Sequence, residues 1–185
     1  MGTGRIAIIP ARGGSKRLPR KNIIDFLGRP IIAYTIDAAR ESACFDTVVV
    51  STEDEEIASI AAAFDVRVDR RTPELATDAA RVVDVCIDLL ERERCAGRQW
   101  SSFACLYATA PMRTAADIRA TVGLLDPGRC EFAMAVTRYS SPQHQALKVS
   151  GRGELDPMWP DLIDRRESEL LPLVVDNGST YAVTA

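Results

Sequence analysis

An α/β fold, in which helices cover both faces of a mostly parallel sheet, is predicted for this chain. Two observations predict it. Short apolar, β-branched segments alternate with segments of helical spacing through the first two-thirds of the 185 residues, and this order is typical of a sheet built from strand–helix–strand units. The first apolar segment ends in proline and glycines, as is typical of a buried strand that leads into a loop. The length suits one domain, so we expect a single domain over residues 1–185.

Strands and helices alternate over the first half of the sequence. Strands are predicted at residues 6–10, 47–51 and 66–68, where apolar and β-branched residues are consecutive. A helix is predicted over residues 30–40, because its apolar residues have helical spacing and its first residue is proline, which suits a first helical turn. Residues 53–64 begin with acidic residues and continue rich in alanine, a composition that favours a second helix.

The alternation continues after a polar segment at residues 71–78. Helices are predicted over residues 79–95 and 115–125, and strands over residues 103–107 and 131–137. These elements extend the same sheet with helices between its strands.

The last third of the chain has a different character. Residues 140–176 are rich in proline and contain no long periodic segment, and a strand is predicted after them at residues 179–184. We interpret residues 140–176 as an inserted arm or hairpin region. Apolar side chains such as Trp159 have little opportunity to be buried within this arm, so we expect it to form a partner surface.

Composition and charge exclude several classes of function. The chain has 23 basic and 26 acidic residues and a net charge of −3, which provides no overall electrostatic attraction for nucleic acid. No apolar run approaches the roughly 18 residues of a membrane span, and the first residues lack the apolar segment of a signal peptide. We therefore expect a cytoplasmic protein with neither a nucleic acid nor a membrane as partner.

Cysteine and histidine usage narrows the chemistry. The five cysteines include no C-x-x-C pair, which argues against a disulfide framework and against a zinc ribbon. His144 is the single histidine, so a site with two histidine metal ligands is excluded. Acid–base chemistry in this chain therefore rests mainly on carboxylates, amines, bound water or a metal.

The loop after the first predicted strand concentrates positive charge. Residues 1–24 contain no acidic residue and six basic ones: Arg5, Arg12, Lys16, Arg17, Arg20 and Lys21. Gly13 and Gly14 let the backbone present its N–H groups to an anion, and the surrounding cations complete a polyphosphate site at the end of the strand. The segment is neither a Walker A nor a G-x-G-x-x-G motif. A glycine turn with a solvated basic face remains the alternative.

Residues 6–22 read IAIIPARGGSKRLPRKN and resemble the first motif of the acylneuraminate cytidylyltransferases. This family comprises the CMP-sialic acid synthetases and their relatives that act on pseudaminic and legionaminic acids. Four later segments resemble family motifs in the same order, so the resemblance covers nearly the whole chain. They are residues 50–57, 71–78, 106–114 and 176–181. The ketodeoxyoctonate cytidylyltransferases, which have a similar first strand and basic loop, are the second alternative.

The resemblance implies a three-layer, Rossmann-like nucleotidyltransferase fold with a dimerisation arm at residues 140–176, and therefore a homodimer. It implies transfer of CMP from CTP to the anomeric hydroxyl of a nonulosonic acid, with release of pyrophosphate and with Mg²⁺ as cofactor. No metal ligand is assigned, because the sequence contains no equivalent of the acidic D-x-D pair near the family's C-terminus. A vestigial or truncated module that binds CTP without turnover is therefore the second hypothesis.

The resemblance also implies roles for individual residues. Arg12 and Lys21 are the expected catalytic residues, and Lys21 stabilises the charge that develops on the transferring phosphoryl group. The expected nucleotide-binding residues are Arg12, Gly13, Gly14, Ser15, Lys16, Asn22, Arg71, Asp78 and Ala80. Asp78 has an alternative role as the N-cap of the helix that follows it.

Recognition of an acidic sugar requires cations and amides. The residues that the resemblance implies for this task are Tyr107, Lys148, Arg166, Asn177 and Tyr181, with Arg165 as the alternative to Arg166. Tyr107 stands where sialic acid enzymes commonly have glutamine. The sequence around Tyr107 and the segment of residues 142–148 resemble instead the pseudaminic and legionaminic acid members of the family.

Overall fold

The computed structural model describes residues 4–16 and 18–185. They form two compact units. The first comprises the described residues up to 135 together with residues 178–185, and the second comprises residues 136–177. Arg17, one of the basic residues of the first loop, lies outside the described residues.

The central sheet is mostly parallel. The strands are β1 (Gly4–Pro10), β2 (Asp25–Phe26), β3 (Arg29–Pro30), β4 (Thr47–Thr52), β5 (Arg67–Arg70), β6 (Trp100–Leu106), β7 (Phe132–Arg138), β8 (Leu147–Val149), β9 (Leu155–Pro157) and β10 (Val174–Thr184). Six of them form one sheet in the order β5-β4-β1-β6-β10-β7. β1 pairs in parallel with both β4 and β6, and β4 pairs in parallel with β5. β10 pairs antiparallel with β6. The predicted α/β architecture is confirmed.

The helices begin where the local sequence favours a helix N-terminus. They are α1 (Ile31–Ser42), α2 (Glu55–Ala63), α3 (Val82–Cys95) and α4 (Ala115–Val122). Pro30 precedes the first residue of α1. The carboxylate of Asp54 caps α2 by accepting a hydrogen bond from the Ile57 N–H. The hydroxyl of Thr114 and the carboxylate of Asp117 form a capping box at the start of α4.

Alternating residues of β1 face two separate apolar clusters. Ala7 and Ile9 pack in a cluster with side chains of α1, α2 and α4. Ile6 and Ile8 pack in a second cluster with Cys86 of α3. Because successive side chains of a strand point to opposite faces, α3 covers one face of the sheet and the other three helices cover the opposite face. This arrangement buries β1 on both sides, as expected for a central parallel strand.

Several element boundaries differ from the predictions. The third helix begins at Val82 rather than at residue 79, since the Arg81 backbone and side chain both donate to the Asp84 carboxylate and cap the helix there. The last strand begins at Val174, earlier than predicted. The hairpin of β2 and β3 was not predicted from the sequence, and its turn residues Leu27 and Gly28 both have positive φ angles.

The second unit contains the hairpin of β8 and β9, which pair antiparallel from Leu147–Pro157 to Val149–Leu155. Large apolar side chains of this unit are exposed, including Trp159, Leu171 and Val174. None of the helices within the described ranges combines the length and the hydropathy that a membrane crossing requires.

Candidate functional site

A cavity of about 220 Å³ lies where parallel strands of the central sheet end. Pro10 is the last residue of β1, Arg71 follows β5, and Tyr107 follows β6. Because these strands are parallel, their carboxyl ends meet at one edge of the sheet, and the three residues line the same strand-end cavity. The predicted site residues that line it are Arg12, Ser15, Lys21, Asn22, Arg71, Asp78, Ala80 and Tyr107.

The basic loop, residues 11–22, is attached at its first and last residues. The N–H of Ala11 donates to the Ser51 carbonyl at 2.9 Å, and the side-chain amide of Asn22 donates to the Arg12 carbonyl at 2.8 Å. Asn22 is buried and lies in the 3₁₀ turn Lys21–Ile23. Asn22 therefore closes the loop and holds the backbone on which Arg12 and Lys21 reach the cavity.

The two glycines of the basic loop differ in their surroundings. The N–H of Gly13, which the sequence predicts to face a bound anion, donates to Oε1 of the protein's own Glu53 carboxylate at 2.8 Å. A Cβ at this position would lie 2.3 Å from Oδ2 of Asp54, so only glycine fits between the loop and that side chain. Gly14, in contrast, has open space where a Cβ would project.

Asp78 forms ion pairs with two cations of the basic loop. Its Oδ1 lies 2.6 Å from Nη1 of Arg12, and its Oδ2 lies 2.5 Å from Nζ of Lys16. Hydrogen bonds from Lys16 and Arg12 hold the pKa of Asp78 below its ordinary value. The described structure thus brings together two residues predicted for phosphate binding and the carboxylate predicted beside them.

The alternative role of Asp78 as a helix N-cap is wrong. α3 begins at Val82, and Arg81 occupies the N-cap position. Asp78 and Ala80 precede the helix, where the Ala80 N–H donates to the Thr77 carbonyl at 3.4 Å. This turn ends the polar segment beside the strand-end cavity, so both residues line the cavity instead of continuing α3.

Arg71 is buried at the bottom of the site. Its guanidinium donates to the Ser51 carbonyl and, at 3.5 Å, to the Leu75 carbonyl. Its Nε lies 3.7 Å from Oε2 of Glu53. Burial lowers the pKa of Arg71, and the Glu53 carboxylate opposes that effect. The backbone contacts and the facing carboxylate of Glu53 together hold a positive charge at the end of β5.

Tyr107, which follows β6, and Tyr181 of the neighbouring antiparallel strand β10 form an aromatic pair, with ring centroids 5.4 Å apart. Arg113 lies next to them as a buried cation. Its guanidinium donates to the Ser179 carbonyl at 2.6 Å, to the Thr35 hydroxyl at 2.7 Å and to the Tyr107 carbonyl at 3.3 Å. Burial lowers the pKa of Arg113 to about 10. These contacts fix the backbone that carries the aromatic pair.

Three predicted sugar-binding residues belong to the second unit. Lys148 is exposed on β8, Arg166 precedes the 3₁₀ turn Glu167–Glu169, and Asn177 lies in β10. The residues that line the strand-end cavity all belong to the first unit. Lys16 is adjacent to the cavity through its ion pair with Asp78.

Two residues that organise the site were not predicted from the sequence. Glu53 and Arg113 each contact residues that line the cavity without lining it themselves. A signal for Glu53 was present, because residues 53–56 are all acidic and follow a buried strand beside a basic loop. Arg113 gave no such signal, since its two shortest hydrogen bonds go to Ser179 and Thr35, which are distant in sequence.

Of the described residues that line the strand-end cavity, Asp78 is the one with a carboxylate side chain. Within residues 4–16 and 18–185, no group of three or more histidine, cysteine, aspartate or glutamate residues is arranged to hold a metal ion.

Comparison with known proteins gives consistent matches. The sequence profile described as Cytidylyltransferase matches residues 6–141. The chain is 33% identical over 184 residues to the pseudaminic acid cytidylyltransferase of Campylobacter jejuni, covering 97% of this chain and 78% of that protein. It is 34% identical over 183 residues to the CMP-N,N'-diacetyllegionaminic acid synthase of Legionella pneumophila, with the same two coverages.

A solved structure has a similar fold. The structure of CMP:2-keto-3-deoxy-manno-octonic acid synthetase complexed with CTP matches with a TM-score of 0.74 and 21% sequence identity, over 98% of this chain and 74% of that one. Identity at this level supports the nucleotidyltransferase fold alone. The profile match and the two relatives of similar sequence carry the assignment: this chain belongs to the cytidylyltransferase family.

Proposed function

We propose that this chain transfers CMP from CTP to the anomeric hydroxyl of a nonulosonic acid and releases pyrophosphate. One observation carries the proposal. Three cationic side chains, those of Arg12, Lys21 and Arg71, line one cavity at the carboxyl ends of parallel strands. A polyphosphate is the ligand whose charge matches such a site, and this edge of an α/β sheet is where ligands bind.

The residues have separable tasks in the proposed transfer. Arg12 binds phosphate oxygens with its forked guanidinium, and the Ser15 hydroxyl binds a further oxygen. Lys21 stabilises the negative charge that develops as the sugar hydroxyl attacks the α-phosphorus and pyrophosphate departs. Arg71 and the backbone near Ala80 contact the nucleotide. Asn22 keeps the loop closed through its hydrogen bond to the Arg12 carbonyl.

We propose Mg²⁺ as the cofactor. Mg²⁺ typically binds through one or two carboxylates together with substrate phosphates and water. The carboxylate of Asp78 lies at the strand-end cavity, and its two oxygens pair with Arg12 and Lys16. The ion would be held mainly by CTP phosphates and water and would neutralise charge on the triphosphate, and Asp78 would join it by exchanging an ion pair for the metal.

The sugar substrate is proposed to be an acidic nine-carbon sugar of the pseudaminic or legionaminic type. Two relatives over nearly the whole chain are named for these acids, which supports the class. Tyr107 lines the cavity beside Tyr181, and this aromatic pair suits the apolar face of a sugar ring. Lys148, Arg166 and Asn177 remain proposed contacts to the sugar carboxylate and hydroxyls.

We also propose a cytoplasmic homodimer that pairs through residues 140–176. Exposed Met158, Trp159 and Leu171 supply the apolar surface that a second copy would cover. Light scattering at micromolar concentration tests this, and a monomer mass would contradict it. If the dimer forms, Trp159→Asp should weaken it and leave CTP binding intact.

The proposed activity is tested by pyrophosphate release from Mg²⁺–CTP with a panel of acids. We expect release with pseudaminic or legionaminic acid derivatives and much less with ketodeoxyoctonate. Release with ketodeoxyoctonate alone would contradict the substrate class. CTP binding in calorimetry without release on any acid would support the vestigial module and contradict the proposed activity.

A further inference from the structure

The turn between β4 and α2 holds the basic loop at two places. Glu53 accepts the Gly13 N–H at 2.8 Å. Arg20 donates to Oδ2 of Asp54 at 2.6 Å and also pairs with Glu56. The clash that a Cβ on Gly13 would meet at Asp54 indicates that the loop lies directly on this turn.

Glu53 and Asp54 have different tasks in this turn. Asp54 caps α2 with its Oδ1, which accepts the Ile57 N–H at 3.0 Å. Glu53 precedes the N-cap and makes no capping contact that the structure describes. The helix therefore has its cap without Glu53, and the contacts of Glu53 to the site require another explanation.

The second oxygen of Glu53 faces Arg71. Oε2 of Glu53 and Nε of Arg71 lie 3.7 Å apart, and both atoms are buried without a hydrogen-bond partner among the described residues. Buried polar atoms normally have partners, so this pair is held by charge across a gap slightly longer than a hydrogen bond. One carboxylate thus contacts the loop backbone with one oxygen and faces the buried guanidinium with the other.

We propose that Glu53 is a positioning residue that sets the basic loop and Arg71 in register with each other at the strand-end cavity. It acts through Gly13 and Arg71, because it is not itself among the described residues that line the cavity. This inference rests on the proposed function for the identity of the ligand as CTP. The two contacts themselves do not depend on that identity.

Two variants separate the contacts of Glu53. Glu53→Gln keeps an oxygen that can accept the Gly13 N–H but removes the negative charge opposite Arg71. Glu53→Ala removes both. Glu55→Gln is the matched control, since Glu55 is the first residue of α2, is exposed and pairs with Arg70 outside the cavity.

Hydrogen exchange of the Gly13 amide is the first measurement. Loss of a hydrogen bond to a charged acceptor should raise exchange at this amide about tenfold or more in Glu53→Ala. Exchange in Glu53→Gln and Glu55→Gln should stay near the unmodified protein. Unchanged exchange in Glu53→Ala would overturn the proposed attachment of the loop.

Steady-state kinetics with CTP is the second measurement. Glu53→Gln should raise KM for CTP about tenfold, because Arg71 loses its facing charge, while kcat changes much less. Glu55→Gln should change neither constant. Unchanged KM in Glu53→Gln would overturn the role toward Arg71, even if Glu53→Ala fails to fold. If the unmodified chain neither binds CTP nor releases pyrophosphate, the proposed function fails, and the exchange measurement alone still decides the role of Glu53.

Discussion

The carboxylate of Asp78 lies 2.6 Å from the guanidinium of Arg12, and its other oxygen lies 2.5 Å from the ammonium of Lys16. The Asp78 carboxylate thereby neutralises part of the charge of Arg12 and Lys16, two residues that are predicted to bind phosphate. A phosphate group that enters the cavity competes with Asp78 for these cations unless a metal ion lies between them.

Asp78→Asn removes that competing anion. In the absence of Mg²⁺, we expect the affinity of the chain for inorganic pyrophosphate to rise roughly threefold, a modest gain because these ion pairs are exposed to solvent. Isothermal titration with pyrophosphate and EDTA measures it. Asp88→Asn, which changes a partly exposed carboxylate that pairs with Arg92 on α3, is the control. Weaker pyrophosphate binding in Asp78→Asn would show that Asp78 supports the site instead of competing for it.

Lys21→Ala and Arg12→Ala should separate catalysis from binding. We expect Lys21→Ala to abolish turnover and to weaken CTP binding much less, because the Lys21 charge matters most as the transition state forms. Arg12→Ala should chiefly weaken CTP binding, since water does not replace a forked guanidinium on phosphate. Calorimetry with CTP and single-turnover rates measure the two effects. Equal losses of binding and turnover in Lys21→Ala would identify it as a ground-state phosphate contact.

Glu93 should contribute pH-dependent stability away from the site. Hydrogen bonds from Arg98, and then from Arg67, lower its pKa from 4.5 to about 2 against the opposing effect of burial. Because the folded pKa is depressed, the stabilisation is present above the unfolded pKa of 4.5 and is lost as the pH falls toward 2. Glu93→Gln should therefore cost about 2 kcal/mol of unfolding free energy at pH 7, allowing for solvent screening of the arginines.

Urea denaturation over a pH series checks the Glu93 prediction. The difference between Glu93→Gln and the unmodified chain should shrink below about pH 4, while exposed Glu91→Gln should show little difference at any pH. A difference that does not depend on pH would contradict the assigned ion pairs.

Arg113→Ala should destabilise the first unit by about 3 kcal/mol, because buried oxygens of Thr35, Tyr107 and Ser179 lose this donor. Exposed Arg119→Ala should cost much less. Equilibrium unfolding in urea compares them, and equal costs would show that the Arg113 contacts contribute little.

Local chemistry explains how far the sequence could predict this protein. The end of β1 at Pro10 and the basic loop that follows it are contiguous in sequence, so their pattern predicted an anion site at the carboxyl end of this strand. Contacts between distant segments depend on the register of parallel strands, which no local pattern specifies. For that reason three contacts could not be predicted from the sequence. They are the hydrogen bond from Gly13 to Glu53, the ion pair of Arg12 with Asp78 and the hydrogen bond from Arg113 to Ser179.

The start of α3 shows the same limit on a smaller scale. Ala79 and Ala80 favour a helix by composition, and the predicted helix accordingly began too early. In the fold, Asp78 is drawn to Arg12 and Lys16, and the chain turns before Arg81 begins the helix. The ion pairs of Asp78 thus lie just before the start of α3, which helix propensity alone predicted too early.

Phosphorus NMR of the reaction products tests the transfer of CMP most directly. With Mg²⁺–CTP and a pseudaminic or legionaminic acid derivative, we expect equal amounts of pyrophosphate and of a CMP-sugar that gives one phosphodiester resonance. CMP and pyrophosphate without a phosphodiester, or CDP with inorganic phosphate, would contradict it.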